Sequence, residues 1–428
     1  MNIPIVQGEA VAGPYSNDDP YGNKHPTSSS SYPPYYGNTT QEGGGDATMT
    51  FSQPQQQPQQ QQPKQFNDVI WAVAFYAHLI AMITLCSLNI AGTDYDQIDG
   101  SFNGLVYVVG LCAFVAIGVS SAMLSVMMKY AEAFTKAALL FSVAMSGVVA
   151  VLGLLSGQML MGILGCVMFA IGICYAKLVW PRIPFAAANL NTALTAVKAN
   201  MGLTFCAYMM LFLAFGWSLL WFVGMGQAVS SSNAPILFLL LVSYFWVHQV
   251  LTNTIHVTTA GTIGTWWFVP EEADSCWSTA ISDSFTRATT YSFGSICLGS
   301  LIVAIVQALR TMAHMARDNE DYQIIVCVID CILGCIQDVL EYLNKWAYVY
   351  VGLYGFNYFE AGKNVIQLFQ NKGWTVIITD DLADNVLFMV SVGVGMLTGL
   401  MGLAMAAADP NLLAALELGD NTKQGGFV

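Results

Sequence analysis

Between Val69 and Ala406 the chain is a near-continuous series of long apolar runs. They are Val69–Ile90, Leu105–Met128, Ala137–Leu155, Met159–Tyr175, Leu203–Val223, Ala234 to about Phe268, Phe293–Leu309 and Val386–Ala406. A helix needs about 20 residues to cross about 30 Å of hydrocarbon, and most of the runs reach that length. Hydrocarbon offers no partner to a backbone N–H or C=O, so a spanning segment must satisfy its own hydrogen bonds as a helix or in a closed barrel. Unbroken apolar runs of this length read as helices. The expected fold is therefore all-α, a polytopic membrane helix bundle with the lipid bilayer as its first partner. Composition agrees: only 10% of residues are charged, where a soluble domain carries about 25%.

Residues 1–65 break the pattern. Stretches such as "SSSSYPPYYGN" and "QPQQQPQQQQPK" are rich in Pro, Gln, Ser and Gly. Such a segment cannot bury enough apolar area to offset the entropy of ordering, so a disordered cytosolic tail is expected. No basic flank followed by an apolar core marks a signal peptide at the start. The domain from 66 to 410 is expected to hold about eight or nine spans, and 411–428 to form a short C-terminal tail. With 14 basic residues against 27 acidic ones, no basic stripe is available to neutralise phosphates, and a nucleic-acid partner is excluded. Of the ten cysteines most sit inside apolar runs, where a thiol behaves as a small hydrophobe. Cys327, Cys331 and Cys335 recur every four residues on one helix face, a spacing that suits packing and leaves metal or lipid attachment as the alternative.

Lysines and arginines near span ends set orientation. A cytosolic tail puts the loop "AGTDYDQIDGSFN" outside, and Lys129, Lys136, Lys177 and Arg182 all fall inside. Arg310 and Arg317 then fall outside unless the chain crosses once more. The candidate is Pro184–Gly202, which would place Glu271–Asp283 outside. The alternative is an amphipathic helix lying at the interface. The region 324–370 is apolar but interrupted by Asp330, Asp338, Glu341, Lys345, Glu360 and Lys363. It reads as cytoplasmic-side helices, partly embedded, with Asp330 its most deeply set acid.

No phosphate loop, HExxH or GxSxG motif is present, so no enzyme, metal site or cofactor is expected. The informative stretch is "FWVHQVLTNTIHVTTAGTIGTWWF", Phe245–Phe268. Gln249, Thr252, Asn253, His256 and Thr259 fall on one helix face, and Trp246 continues it. That face cannot meet lipid, where each unpaired polar group would cost several kcal/mol. It serves either as hydrogen-bonded glue between helices or as the lining of a substrate path. A quaternary ammonium is held by ring faces, and Tyr244, Trp246, Trp266, Trp267 and Phe268 supply rings. Trp266 and Trp267 equally suit an interfacial aromatic belt. A second cluster, "KWAYVYVGLYGFNYF", puts Trp346, Tyr350 and Tyr354 on one face. Gly395 and Gly399 form a GxxxG packing surface.

These stretches, with "CILGCIQDVLEYLNKWAYVYVGLYGFNYFEAGKN" and "SFTRATTYSFGSICLGSLIVAIVQALR", resemble the choline transporter-like family of solute carriers. The resemblance is strongest from Leu203 to Asn364. It implies about ten membrane helices, both ends cytosolic, a multi-pass plasma-membrane location, and transport of choline or a related organic cation or amino alcohol by proton-coupled antiport. It also implies that substrate contacts fall on Trp246, Asn253, His256, Trp266 and Tyr350, beside Tyr244. The chain departs from the family in its short first outer loop and in the absence of a further span after Ala406. That departure motivates the alternative expectation of a non-transporting membrane scaffold or regulator.

Overall fold

The computed structural model describes residues 64–91, 101–157, 159–231, 234–316, 323–372 and 374–408. The expected N-terminal tail up to residue 63, part of the first outer loop, Arg317 and the expected C-terminal tail lie outside the described residues. Everything described is helix and short connection, without a strand. The helices are α1 (Val69–Ala91), α2 (Ser101–Leu155), α3 (Met159–Val179), α4 (Ile183–Ala199), α5 (Gly202–Ser231), α6 (Ala234–Phe268), α7 (Thr279–Thr289), α8 (Phe293–Ala316), α9 (Gln323–Tyr354), α10 (Tyr358–Lys372) and α11 (Trp374–Ala408). Among the described residues, seven stretches are long and apolar enough to cross a membrane. Large apolar side chains point outward along them, Phe114, Leu178, Phe212 and Leu400 for example. Water would oppose such a surface, whereas lipid tails accept it.

Two of the expected spans are joined in α2. Its helical hydrogen-bonding continues for 55 residues, but Tyr130 leaves the helical region at φ −131°, ψ 38°. The bend falls in "KYAEAFTK", the polar interval between the two apolar runs, where Lys129 lies over the Tyr130 ring at 5.3 Å and Lys136 pairs with Glu132 at 2.7 Å. Met123 before the bend and Phe141 after it line one surface pocket with Met389 and Met396 of α11. The two arms therefore fold back on each other. α3 then packs closely on the second arm, where Gly165 leaves no room for a Cβ beside the Ala150 backbone.

The tertiary contacts sort the helix ends. The backbone N–H of Asn67 donates to Tyr291 O at 2.9 Å, and Asp68 accepts from Ser295 and from the Tyr358 N–H. The starts of α1, α8 and α10 thus share one end of the bundle. A Cβ on Gly224 would lie 2.5 Å from Cys86 Cβ, so the late turns of α1 and α5 meet and these helices run parallel. Gly202 N–H donates to Cys276 O at 2.6 Å, which brings the segment after α6 to the start of α5. Glu271–Asp283 therefore lies at the end of the bundle where α1 begins, opposite to where the expected extra crossing would put it. α4 instead lies across the bend of α2: Ile183 clusters with Leu139 and Val179, and Leu194 with Met127 and Ala138. Its 17 residues extend only about 26 Å. The charge argument went astray at Arg310, whose Nε pairs with Asp330 at 3.1 Å and so is not a free cation.

α9 begins the region 324–370, expected as partly embedded helices. It is 32 residues long and inserts its C-terminal half between α6 and α8. Tyr348 is fully buried, Val351 nearly so, and the Val257 carbonyl of α6 comes close to Gly352. Two of the acids that interrupt this region, Asp330 and Glu341, face α8, where they meet Arg310 and Gln307. Gln337 accepts from Arg310 and donates to Glu341.

Candidate functional site

The predicted polar stripe of α6 is only partly turned inward: Gln249, Asn253, His256 and Thr259 are half-buried and Thr252 is exposed, and the fully buried positions lie beside it. The buried residues of α6 include Ser243, Trp246, Val247, Val250, Thr254, Val257, Thr258 and Gly261. The threonines spend their hydroxyls within the helix: Thr254, Thr258 and Thr262 each donate to the carbonyl four residues back, at 2.7, 2.8 and 2.9 Å. Those groups are satisfied locally and can line a packed interface without a partner.

The other polar residues reach outward. Asn253 Nδ2 donates to Ser300 Oγ of α8 at 3.0 Å and lies 3.4 Å from Gln249 Oε1. Ser300 shares a hydrogen bond of 3.4 Å with Tyr348 of α9, whose hydroxyl also donates to Ile296 O at 3.2 Å. Tyr358 donates to Asn344 Oδ1, and Asn344 Nδ2 donates to Gly299 O at 3.1 Å. Gly299 is required here because a Cβ would strike both Tyr348 and Tyr358. The result is a ladder of polar groups from α6 across α8 to α9 and α10, ending at Asp68. Burial pushes the Tyr358 phenol up to about 12, with the Asn344 hydrogen bond opposing, so it remains a neutral donor at any physiological pH.

Replacing Asn253 by leucine is expected to strand the Ser300 hydroxyl and the Gln249 amide, at a cost of about 1–3 kcal/mol. The check is the thermal midpoint of the detergent-solubilised protein. An unchanged midpoint would mean that the ladder carries no stability at this rung.

The six predicted contact residues do not converge on one point. Trp246 is packed between α1 and α8: its Nε1 donates to Cys297 O at 2.9 Å, and its ring lies 5.2 Å from Phe75 and 5.0 Å from His78. Tyr244 turns toward α5, with ring distances of 5.1 Å to Trp221 and 4.6 Å to His248. His256 faces Tyr348 at 6.3 Å. Tyr350 belongs to an aromatic stack at the end of α9, 5.5 Å from Tyr354 and 6.4 Å from Phe356. Trp266 sits in the last turns of α6 beside Trp267, which is 63% exposed. Tyr244 and Trp266 are separated by six helical turns, about 33 Å. No single small cation touches both, so the six residues do not form one cage.

Several residues of the ladder were not singled out by sequence reasoning: Asp68, Ser295, Ser300, Asn344, Tyr348 and Tyr358. A readable signal existed for two of them, since Asn344 and Tyr348 stand four apart on the buried face of α9. For Asp68 there was none, because it borders the low-complexity tail.

Comparison with known proteins supplies the family. The model described as "Plasma-membrane choline transporter" matches residues 163–418. A CTL-like protein of Dictyostelium discoideum is 25% identical over 357 residues, covering 79% of this chain and 64% of that protein. Protein PNS1 of Mycosarcoma maydis is 28% identical over 373 residues, covering 79% of this chain and 70% of its own length. Protein PNS1 of Gibberella zeae is 40% identical over a shorter stretch of 149 residues, 33% of this chain and 27% of that protein. The chain thus spans about two thirds of the length of the first two relatives. One family model accounts for more than half of this chain, on an all-helical bundle of membrane-length helices, and the chain belongs to the plasma-membrane choline transporter family.

Proposed function

We propose that the protein carries choline, or a related small organic cation or amino alcohol, across the plasma membrane as a secondary carrier coupled to protons. The observation that carries this reading is α6: a helix through an apolar bundle whose inward face combines amide, imidazole and indole groups. Rings attract a quaternary ammonium that no hydrogen bond can reach. Tyr244, Trp246, Asn253, His256, Trp266 and Tyr350 are the contact positions proposed along the path. Trp246 is covered by Phe75 and His78 in the present conformation, which suits a carrier whose site opens to one side at a time.

The test is uptake of radiolabelled choline into proteoliposomes with an acidic lumen. Saturable uptake that collapses with a protonophore is expected. Uptake indifferent to the protonophore would remove the proton coupling alone. Absence of saturable uptake across a panel of amines and amino alcohols would remove the carrier reading.

A further inference from the structure

A second set of groups, on the other side of α6 from the amide ladder, faces α5 and α1. Trp217 and Trp221 stand one turn apart on α5 and are 6% and 3% exposed. Neither indole Nε1 has an acceptor, and the Nδ1 of His78 on α1 is likewise without a partner. A buried donor left unpaired costs about 1–3 kcal/mol, and native interiors rarely tolerate one, let alone several together. These atoms are also shielded from lipid, since each is enclosed by protein.

The three belong to one packed region. α1 and α5 run parallel with Cys86 against Gly224, so two turns back His78 stands level with Trp217. His78 Nε2 shares a hydrogen bond of 2.8 Å with Ser243 of α6. Opposite it, Ser218 shares hydrogen bonds with His248 at 3.0 Å and Tyr244 at 3.4 Å. Ring faces surround the set: Trp221 against Tyr244 at 5.1 Å, and His78 against Trp246 at 5.0 Å. Among the described residues, the buried side-chain polar atoms without a partner in this region are two indole donors and one imidazole nitrogen, set among aromatic faces. What the chain does not supply is an oxygen acceptor attached to something that rings can hold.

We propose that the α1–α5–α6 interface is the subsite for the hydroxyl end of a cationic amino alcohol. Trp217 and Trp221 donate to the substrate oxygen, and Tyr244, packed against Trp221, offers its face to the ammonium. The inference rests on the carrier reading above and adds a specificity to it: the protein distinguishes an amino alcohol from an alkyl ammonium of the same size.

The experiment is equilibrium binding of radiolabelled choline to the full chain in detergent, with competition by propyltrimethylammonium, in which a methyl replaces the hydroxyl. Wild type is expected to prefer choline by roughly tenfold, the value of one buried hydrogen bond. Trp217→Phe and Trp221→Phe, each shown monodisperse by gel filtration, are expected to lose most of that preference by weakening choline and not its analogue. Trp346→Phe removes an unpaired buried indole elsewhere, on α9, and is expected to leave the preference unchanged. Equal wild-type affinity for both cations would mean the indoles are satisfied by bound water only, and would overturn the subsite while leaving the carrier reading intact. Variants that weaken both cations alike would also overturn it, because ring contact and not donation would be lost. Failure of wild type to bind either cation would overturn the carrier reading and this inference with it.

Discussion

Gly352→Leu is expected to destroy the folded bundle. Gly352 is the point where α9 lies directly against α6. A Cβ there would stand 2.7 Å from the Val257 carbonyl oxygen and 2.8 Å from Ala260 Cβ. The first of these is backbone and the second is the root of a side chain, so neither can rotate away. Overpacking of this kind costs about 1–3 kcal/mol for modest insertions and more when the obstacle is main chain. A leucine adds three further carbons to the same gap and forces the helices apart. That separation would also withdraw Tyr348 from Ser300 and His256, and so break the polar ladder at its centre. Size-exclusion profiles after heating should show loss of the monodisperse species well below the wild-type midpoint, and choline uptake should be lost. Gly362→Ala is the matched control, because nothing lies within 4 Å of its added Cβ and alanine favours the helix by about 0.5–1 kcal/mol. A wild-type midpoint for Gly352→Leu would show that α6 and α9 are not in van der Waals contact.

The second large effect is expected at Asp68. One carboxylate oxygen accepts from Ser295 Oγ at 2.6 Å and from the Tyr358 N–H at 3.0 Å. Beside it, Asn67 Nδ2 donates to Gly355 O at 2.8 Å. The start of α1 is thereby clasped to the starts of α8 and α10, and the carboxylate accepts the Tyr358 N–H at the α10 N-terminus. Asp68 holds this position at φ 53°, in the left-handed region that Asp and Asn tolerate better than other side chains. Asp68→Ala removes the acceptor and keeps the backbone penalty, so a loss of about 2–6 kcal/mol is expected, the sum of two orphaned donors. Asp68→Asn keeps an acceptor oxygen and the backbone tolerance, and is expected to recover about half of that loss. Thermal midpoints of the three proteins decide the matter. Equal midpoints for the alanine and asparagine variants would show that the hydrogen bonds do not carry the clasp.

Much of the bundle was legible along the chain. α1, α5, α6 and α8 fall where apolar runs reach membrane length, and the bend at Tyr130 falls where the run is interrupted by Lys129, Glu132 and Lys136. The polar stripe of α6 was legible in part: Asn253 and His256 do meet Ser300 and Tyr348, whereas Thr252 is exposed. What was missed has a common character. α4 looked long enough to cross but lies over the bend of α2. Arg310 looked like a free cation but is neutralised from α9. α9 read as only partly embedded because of its charged residues, yet Asp330 and Glu341 turn toward α8 and its C-terminal half carries Tyr348 into the centre. Each depends on a partner tens to hundreds of residues away, which no window along the chain contains.

The division is therefore physical. Hydropathy and helical period are local quantities, set by the 1.5 Å rise and 3.6-residue turn of a single helix. The sequence alone determined that this chain is a membrane helix bundle and, in part, which face of α6 turns away from lipid. Which groups meet across that face is a matter of packing between distant segments. Only the tertiary structure joined Asp68 to Ser295 and Tyr358, Asn253 to Ser300, and left the indoles of Trp217 and Trp221 facing inward without an acceptor, because close packing and not local periodicity decides which polar atoms find partners.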